Sequence, residues 1–121
     1  ARFVATNADR GLRVAGGIIP GTGSIVAAVE AATGVGPLVI GKPGRLIFDM
    51  TLRSMGLAAE DVVAVGDNLD TDIPAGAAAG IRTAFILTGV STRADLARAS
   101  VAPTWVVEDY AALRQVLDTS A

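Results

Sequence analysis

A chain of 121 residues with ten Lys/Arg against twelve Asp/Glu is long enough for one ordinary domain, and it carries no basic cluster that would point to nucleic acid or an anionic membrane surface. It contains neither cysteine nor histidine, which removes disulfides, thiolate or imidazole zinc sites, cysteine nucleophiles and histidine-based triads from its own chemistry. It is 51% hydrophobic with a mean hydropathy of +0.52, yet no apolar run approaches the roughly 18 residues of a membrane-spanning helix, so the excess reads as core and as surface that packs on something else.

Residues 3–6 (Phe-Val-Ala-Thr) read as a short strand almost at the start of the chain. No initiator Met and no signal-peptide pattern precede it, so a piece of a longer, cytoplasmic protein is expected. Residues 7–20 are rich in glycine and polar residues and read as a loop. Gly21-Thr22-Gly23-Ser24 then leads into a helix over 25–32, with Ser24 as its N-cap and Gly34 beyond its end. A glycine-rich turn into a helix can cradle phosphate, but this one has neither the P-loop nor the dinucleotide pattern and reads as a tight turn.

Residues 37–40 form a second short buried strand that ends in Gly41-Lys42-Pro43. Pro43 suits the first turn of the next helix, where Leu46, Ile47, Met50 and Met55 would make the inward stripe and Gly56 the stop. The apolar, β-branched run 62–65 stops at Gly66, and Asp67, Asp70 and Asp72 follow within six residues. Such a continuous run predicts a strand buried on both faces, in the middle of a parallel sheet. A small-residue helix over about 72–79 would lie close against that sheet. After it come a strand over 83–87, a helix capped by Ser91 or Thr92 and running through Ala99, and a strand over 104–107. Asp109 would cap a last helix with Ala112, Leu113, Val116 and Leu117 inward. From residue 38 strands and helices alternate, which predicts an α/β layer around a parallel sheet with right-handed crossovers, and a boundary near residue 37.

In such sheets ligands bind just beyond the carboxyl ends of the strands. Lys42 follows one such end and Asp67 another. If the two strands are neighbours, an ammonium and a carboxylate meet at one rim. That pairing suits a phosphate ester: a hard cation such as Mg²⁺ bridges carboxylate and phosphoryl oxygens while lysine neutralises another oxygen. Taken singly, each residue has a plainer reading: Asp67 as an Asx-turn, Asp72 as an N-cap, Lys42 as a solvated turn lysine, Asp70 as a solvent-facing carboxylate.

Gly41-Lys42-Pro43, Gly66-Asp67-Asn68-Leu69-Asp70-Thr71-Asp72-Ile73 and Leu87-Thr88-Gly89-Val90-Ser91, in this order and spacing, resemble the haloacid dehalogenase (HAD) superfamily. More narrowly they resemble its capped phosphatases, among them 4-nitrophenylphosphatase, phosphoglycolate/glycerol-3-phosphate phosphatase and pyridoxal phosphatase. Ala5-Thr6-Asn7 with Asp9, and Pro20-Gly21-Thr22-Gly23-Ser24, are similar to the same branch. The resemblance implies that residues 38–121 are the C-terminal half of a HAD-like, Rossmann-like core and that residues 1–37 are the end of an α/β cap. It implies Asp67 as a direct Mg²⁺ ligand, Asp72 as its support, orienting metal-bound water or holding Lys42, and Lys42 as the group that stabilises the phosphoryl oxygens. Asn68 would contact the loop or the phosphate, and Thr6, Asn7 and Asp9 would face the substrate from the cap side.

The family's reaction starts at an Asp-x-Asp motif whose first aspartate is the nucleophile and whose second is the general acid/base. No such motif follows a buried strand here; Asp70-Thr71-Asp72 lies inside the acidic loop. The resemblance therefore implies a phosphatase of small phosphate monoesters whose nucleophile lies in a missing N-terminal half, with these residues inactive alone; because caps of this branch often carry dimer contacts, a homodimer is one of the assemblies left open. Two readings stand beside it. One is a non-catalytic module that keeps only the metal-site half. The other is a receiver-like signalling domain, whose acidic residues would precede its Lys-Pro, whereas Lys42-Pro43 here precedes Asp67.

Overall fold

The computed structural model describes residues 1–119, without the side chain of Arg13. Val4–Ala5 (β1) pairs in parallel with Leu38–Val39 (β4), Val4 opposite Leu38 and Ala5 opposite Val39. Between them lie Gly11–Val14 (β2), Gly17–Pro20 (β3) and the helix Thr22–Thr33 (α1). The segment expected to be a loop thus holds an antiparallel hairpin, Leu12 facing Ile19 across the ladder. Its glycines concealed it: Gly16 at φ 98 and Gly17 at φ 153 form the tight turn, and Leu12, Val14, Ile18 and Ile19 are ordinary strand formers.

α1 starts at Thr22 with Gly21 in the capping position, three residues before the expected cap. Ser24 is not the N-cap, because its hydroxyl donates to the Arg10 carbonyl at 2.6 Å. Gly34 ends the helix in the left-handed conformation, as expected.

The next helix, Leu46–Met55 (α2), starts beyond Pro43. Pro43 lies instead in a turn closed by the Gly44 amide on the Gly41 carbonyl at 3.0 Å. The inward face of α2 also differs from expectation. Phe48 and Leu52, one turn apart, pack on Ala64, Ala79 and Ile81, while Ile47, Met50 and Met55 are exposed. The aromatic ring and its i+4 leucine decide the rotation of the helix over the more flexible methionines.

Val63–Gly66 (β5), Arg82–Ile86 (β6) and Trp105–Val107 (β7) form a parallel sheet in that order. β5 is therefore an edge strand of this sheet, not a central one, and Val65 is 43% exposed. The continuous apolar run reported strand character correctly but overstated burial, because only Ala64 and Gly66 of β5 are fully buried, with Val63 half-buried. Nor are β4 and β5 neighbours in one sheet, the condition under which Lys42 and Asp67 were to meet directly.

Asp72–Ala78 (α3) lies close on β5 and β6: a Cβ on Gly76 would stand 2.8 Å from the Thr83 methyl and 3.0 Å from Ala64. Ile73 and Phe85 are fully buried in one cluster with Leu69, each contributing about 1.5–3 kcal/mol relative to exposure. Arg93–Arg98 is a 3-10 helix, and Thr92 rather than Ser91 caps it through a reciprocal bond pattern with Asp95. Tyr110–Thr119 (α4) is capped by Asp109, whose Oδ1 accepts the Ala112 amide at 2.9 Å. Ala112, Leu113 and Val116 face the sheet; Leu117 sits at the border of that stripe, 36% exposed. Among the described residues no helix is long and apolar enough to cross a membrane.

Candidate active site

Asp72 organises one wall of the site. It is the first residue of α3 and is buried, with its side chain 11% exposed. Its Oδ1 receives the Lys42 ammonium at 2.6 Å, and its Oδ2 accepts the backbone amides of Asp67 and Asn68, both at 3.1 Å. One carboxylate thereby fixes a lysine from the end of β4 and the backbone of the loop after β5. Gly66 makes the approach possible, since any Cβ there would overlap the Asp72 side chain. The plain N-cap reading of Asp72 is corrected: Thr71 holds the cap position, and the Asp72 carboxylate binds the preceding loop. Lys42 is likewise not a free turn lysine, although half of its side chain remains exposed.

Asp67 is held from the other side. Its Oδ2 accepts the Val90 amide at 2.8 Å and its main-chain carbonyl accepts the Ser91 amide at 2.9 Å. Its Oδ1 has no donor among the described residues. Asn68 spends its side-chain oxygen on the Asp70 amide at 2.9 Å, which leaves its NH₂ as a donor. Asp70 lies outside the cleft, beside Ser91, Asp95 and Arg98, in agreement with a solvent-facing role.

The opposite wall comes from residues 6–12. Asn7 repeats the Asn68 arrangement, its oxygen accepting the Asp9 amide at 3.1 Å. The Gly23 amide binds the Asp9 carbonyl at 2.8 Å, and side chains at Gly21 or Gly23 would collide with the backbone of Ala8 and Asp9. The glycine-rich turn is thus a packing device that seats the 7–10 loop on the start of α1, as the tight-turn reading has it. Gly41 does the same for Thr6, whose carbonyl occupies the space a Cβ would need.

Between these walls lies a cleft of about 820 Å³. All seven site residues singled out in the sequence line it: Thr6, Asn7, Asp9, Lys42, Asp67, Asn68 and Asp72. Thr71, Thr51 and the apolar side chains of Leu12, Ile47 and Phe48 line it as well. The sequence reading missed these. Ile47 and Thr51 are one turn apart on α2, and the inward Phe48/Leu52 pair rotates them into the cleft. That pair was the signal that could have found them.

Three carboxylates and one ammonium are the titratable groups of the lining, a net charge of −2. Such a cleft repels a phosphate dianion until a cation is added. The donor chemistry fits a hard cation in kind, since Asp67 has a free carboxylate oxygen. Asp72 is fully engaged, and among the described residues no three His, Cys, Asp or Glu side chains converge on one point.

The α/β architecture with its cleft at the carboxyl ends of parallel strands is that of the HAD fold. A family model described as HAD-hydrolase-like matches residues 39–113, and the chain belongs to that family. It is 38% identical over 118 residues to a dihydroxyacetone phosphatase of Corynebacterium glutamicum, covering 98% of this chain and 43% of that protein. It is 39% identical over 109 residues to an acid sugar phosphatase of Staphylococcus saprophyticus, covering 90% and 42%. Among solved structures it superposes on a p-nitrophenyl phosphatase from Archaeoglobus fulgidus with a TM-score of 0.88 at 39% identity, covering 95% of this chain and 46% of that one. NagD from E. coli gives 0.83 at 40%, covering 92% and 43%. The chain spans less than half the length of the relatives it matches.

Proposed function

We propose that these residues form the cation- and phosphate-binding half of a Mg²⁺-dependent phosphatase of small phosphate monoesters, phosphate ester + water → alcohol + phosphate. Residues 38–121 belong to its catalytic core and residues 1–37 to the cap side. The observation that carries this reading is the shared carboxylate of Asp72, which ties Lys42 and the Asp67 loop to one rim of the cleft. The family membership favours it over a receiver-like domain.

Each group has a task. Lys42 presents its exposed ammonium to a phosphoryl oxygen and opposes the charge that shifts onto it during transfer. Asp72 keeps that ammonium in place, acting through Lys42. The NH₂ groups of Asn7 and Asn68 are donors for phosphate or substrate oxygens, because their carbonyls are already committed. Asp67 contributes one oxygen ligand to Mg²⁺, which when bound offsets the negative lining and polarises the phosphoryl group. Leu12, Ile47 and Phe48 give one side of the cleft an apolar lining. The aspartate nucleophile that the family resemblance implies, and the phosphorylated aspartate formed on it, have no counterpart among these 121 residues. They are proposed to come from the rest of the protein, and these residues alone are expected to be inactive.

The test is hydrolysis of 4-nitrophenyl phosphate by the full-length protein. Turnover should vanish with EDTA and return with Mg²⁺, and Asp67→Asn should abolish the Mg²⁺-dependent rate. Wild-type rates in that variant would overturn the ligand assignment.

A further inference from the structure

The Asp67 carboxylate does not orient itself. It sits on a loop leaving an edge strand, and the contacts that aim it come from a different segment, residues 87–91 after β6. The Val90 amide takes Oδ2 at 2.8 Å, the Ser91 amide takes the Asp67 carbonyl at 2.9 Å, and the Ser91 hydroxyl oxygen accepts the Leu69 amide at 3.1 Å. Gly89 adds a steric condition, because a Cβ there would occupy the space of the Asp67 carboxylate. The segment is itself anchored at both ends. The Leu87 amide binds the Val107 carbonyl at 3.0 Å, and Thr92 closes its capping box on Asp95 at 2.8 and 2.7 Å.

We propose that residues 87–91 are a holder that sets the cation affinity of this site, with Gly89 and Ser91 as positioning residues acting through Asp67. This rests on the reading of Asp67 as a Mg²⁺ ligand. With Oδ2 and the backbone tied, Oδ1 is the oxygen left for the cation, and little side-chain freedom remains to be lost when the cation arrives. Groups that hydrogen-bond a ligating carboxylate typically set metal affinity by about 10–100-fold. Gly89→Ala acts on the carboxylate directly, by displacing it. Ser91→Ala leaves the main-chain bonds and removes only the tie to Leu69, so its effect is smaller. Ser91→Thr keeps the accepting oxygen.

The experiment is calorimetric titration of Mg²⁺ into the full-length protein without substrate, alongside the Mg²⁺ dependence of phosphatase turnover. Gly89→Ala should weaken Mg²⁺ binding by about 10–100-fold. Ser91→Ala should weaken it several-fold, Ser91→Thr should bind as wild type, and saturating Mg²⁺ should restore most of the rate in all three. Wild-type Mg²⁺ affinity in folded Gly89→Ala and Ser91→Ala would overturn the holder and leave the phosphatase reading standing. If Gly89→Ala does not fold, Ser91→Ala against Ser91→Thr decides by the same criterion. A wild-type protein that neither binds nor needs Mg²⁺ would overturn both the holder and the metal role of Asp67.

Discussion

The ammonium of Lys42 lies 2.6 Å from Oδ1 of Asp72, thirty positions further along the chain. The two residues follow strands of two different sheets, so this contact closes the rim between them. The other oxygen of the same carboxylate carries the Asp67 and Asn68 amides. Asp72→Ala removes all three bonds at once. Lys42 can turn into water, but the two amides are left without their acceptor, so a loss of about 1–3 kcal/mol is expected. Thermal or urea unfolding of Asp72→Ala beside Lys42→Met measures it, and Asp72→Ala should be the less stable of the two. Equal stability would mean that the amides find another acceptor.

Lys42→Met separates catalysis from folding. The ion pair is half exposed on the lysine side, so its loss should change stability by no more than about 1 kcal/mol. If Lys42 faces the phosphoryl oxygens as proposed, removing its charge should lower kcat by about 10²- to 10³-fold in the full-length protein, by analogy with loss of a transition-state donor. Mg²⁺ affinity should stay near wild type, since Lys42 touches Asp72 and not Asp67. A steady-state comparison with unchanged kcat and KM would refute the role.

Asp95 gives a pH prediction away from the cleft. The Thr92 hydroxyl, then the Thr92 amide, then Arg98 hold its carboxyl down from 3.8 to about 2. The folded-state value lies below the unfolded one, so the contribution is fully present above pH 3.8 and fades as pH falls through about 2. Asp95→Asn should therefore be less stable than wild type at neutral pH, and the gap should narrow between those two values. Urea unfolding at several acidic pH values tests it; a gap independent of pH would contradict it.

The candidate site was more legible in the sequence than the packing that builds it. Gly66-Asp67 and Gly41-Lys42 end strands, and strand ends in parallel sheets face a common rim, so period and punctuation suffice to find them. The route by which they meet was not legible. Lys42 does reach Asp72, the contact the family resemblance offered, but it does so from a strand that pairs with β1 and not with β5. Such pairing is long-range information that local pattern does not carry. The 11–20 hairpin was hidden for a local reason, glycines that signal loop and hairpin turn alike. The inward face of α2 was misassigned because four apolar residues were counted without weighing that Phe48 and Leu52 bury more surface in one stripe than flexible methionines do.

In the proposed phosphatase, Asp9 would bear on which phosphate ester the cleft accepts. Its backbone is pinned by Gly23 and Asn7, it lines the cleft, and its carboxylate has no partner among the described residues. A substrate whose far end is also anionic brings a second negative charge toward it. At about 4 Å the repulsion is about 1 kcal/mol even in bulk water, a factor of about 5 in binding, and more in a cleft that excludes water. Esters with neutral hydroxylated ends carry no such penalty. Asp9→Asn keeps the size and removes the charge. It should raise kcat/KM for a carboxylated ester such as 2-phosphoglycolate by about 5-fold or more, while glycerol phosphate and 4-nitrophenyl phosphate change far less. The readout is the ratio between substrates, which a general loss of folding or metal would leave unmoved. Identical profiles for wild type and Asp9→Asn across such a panel would remove Asp9 from the substrate-facing wall.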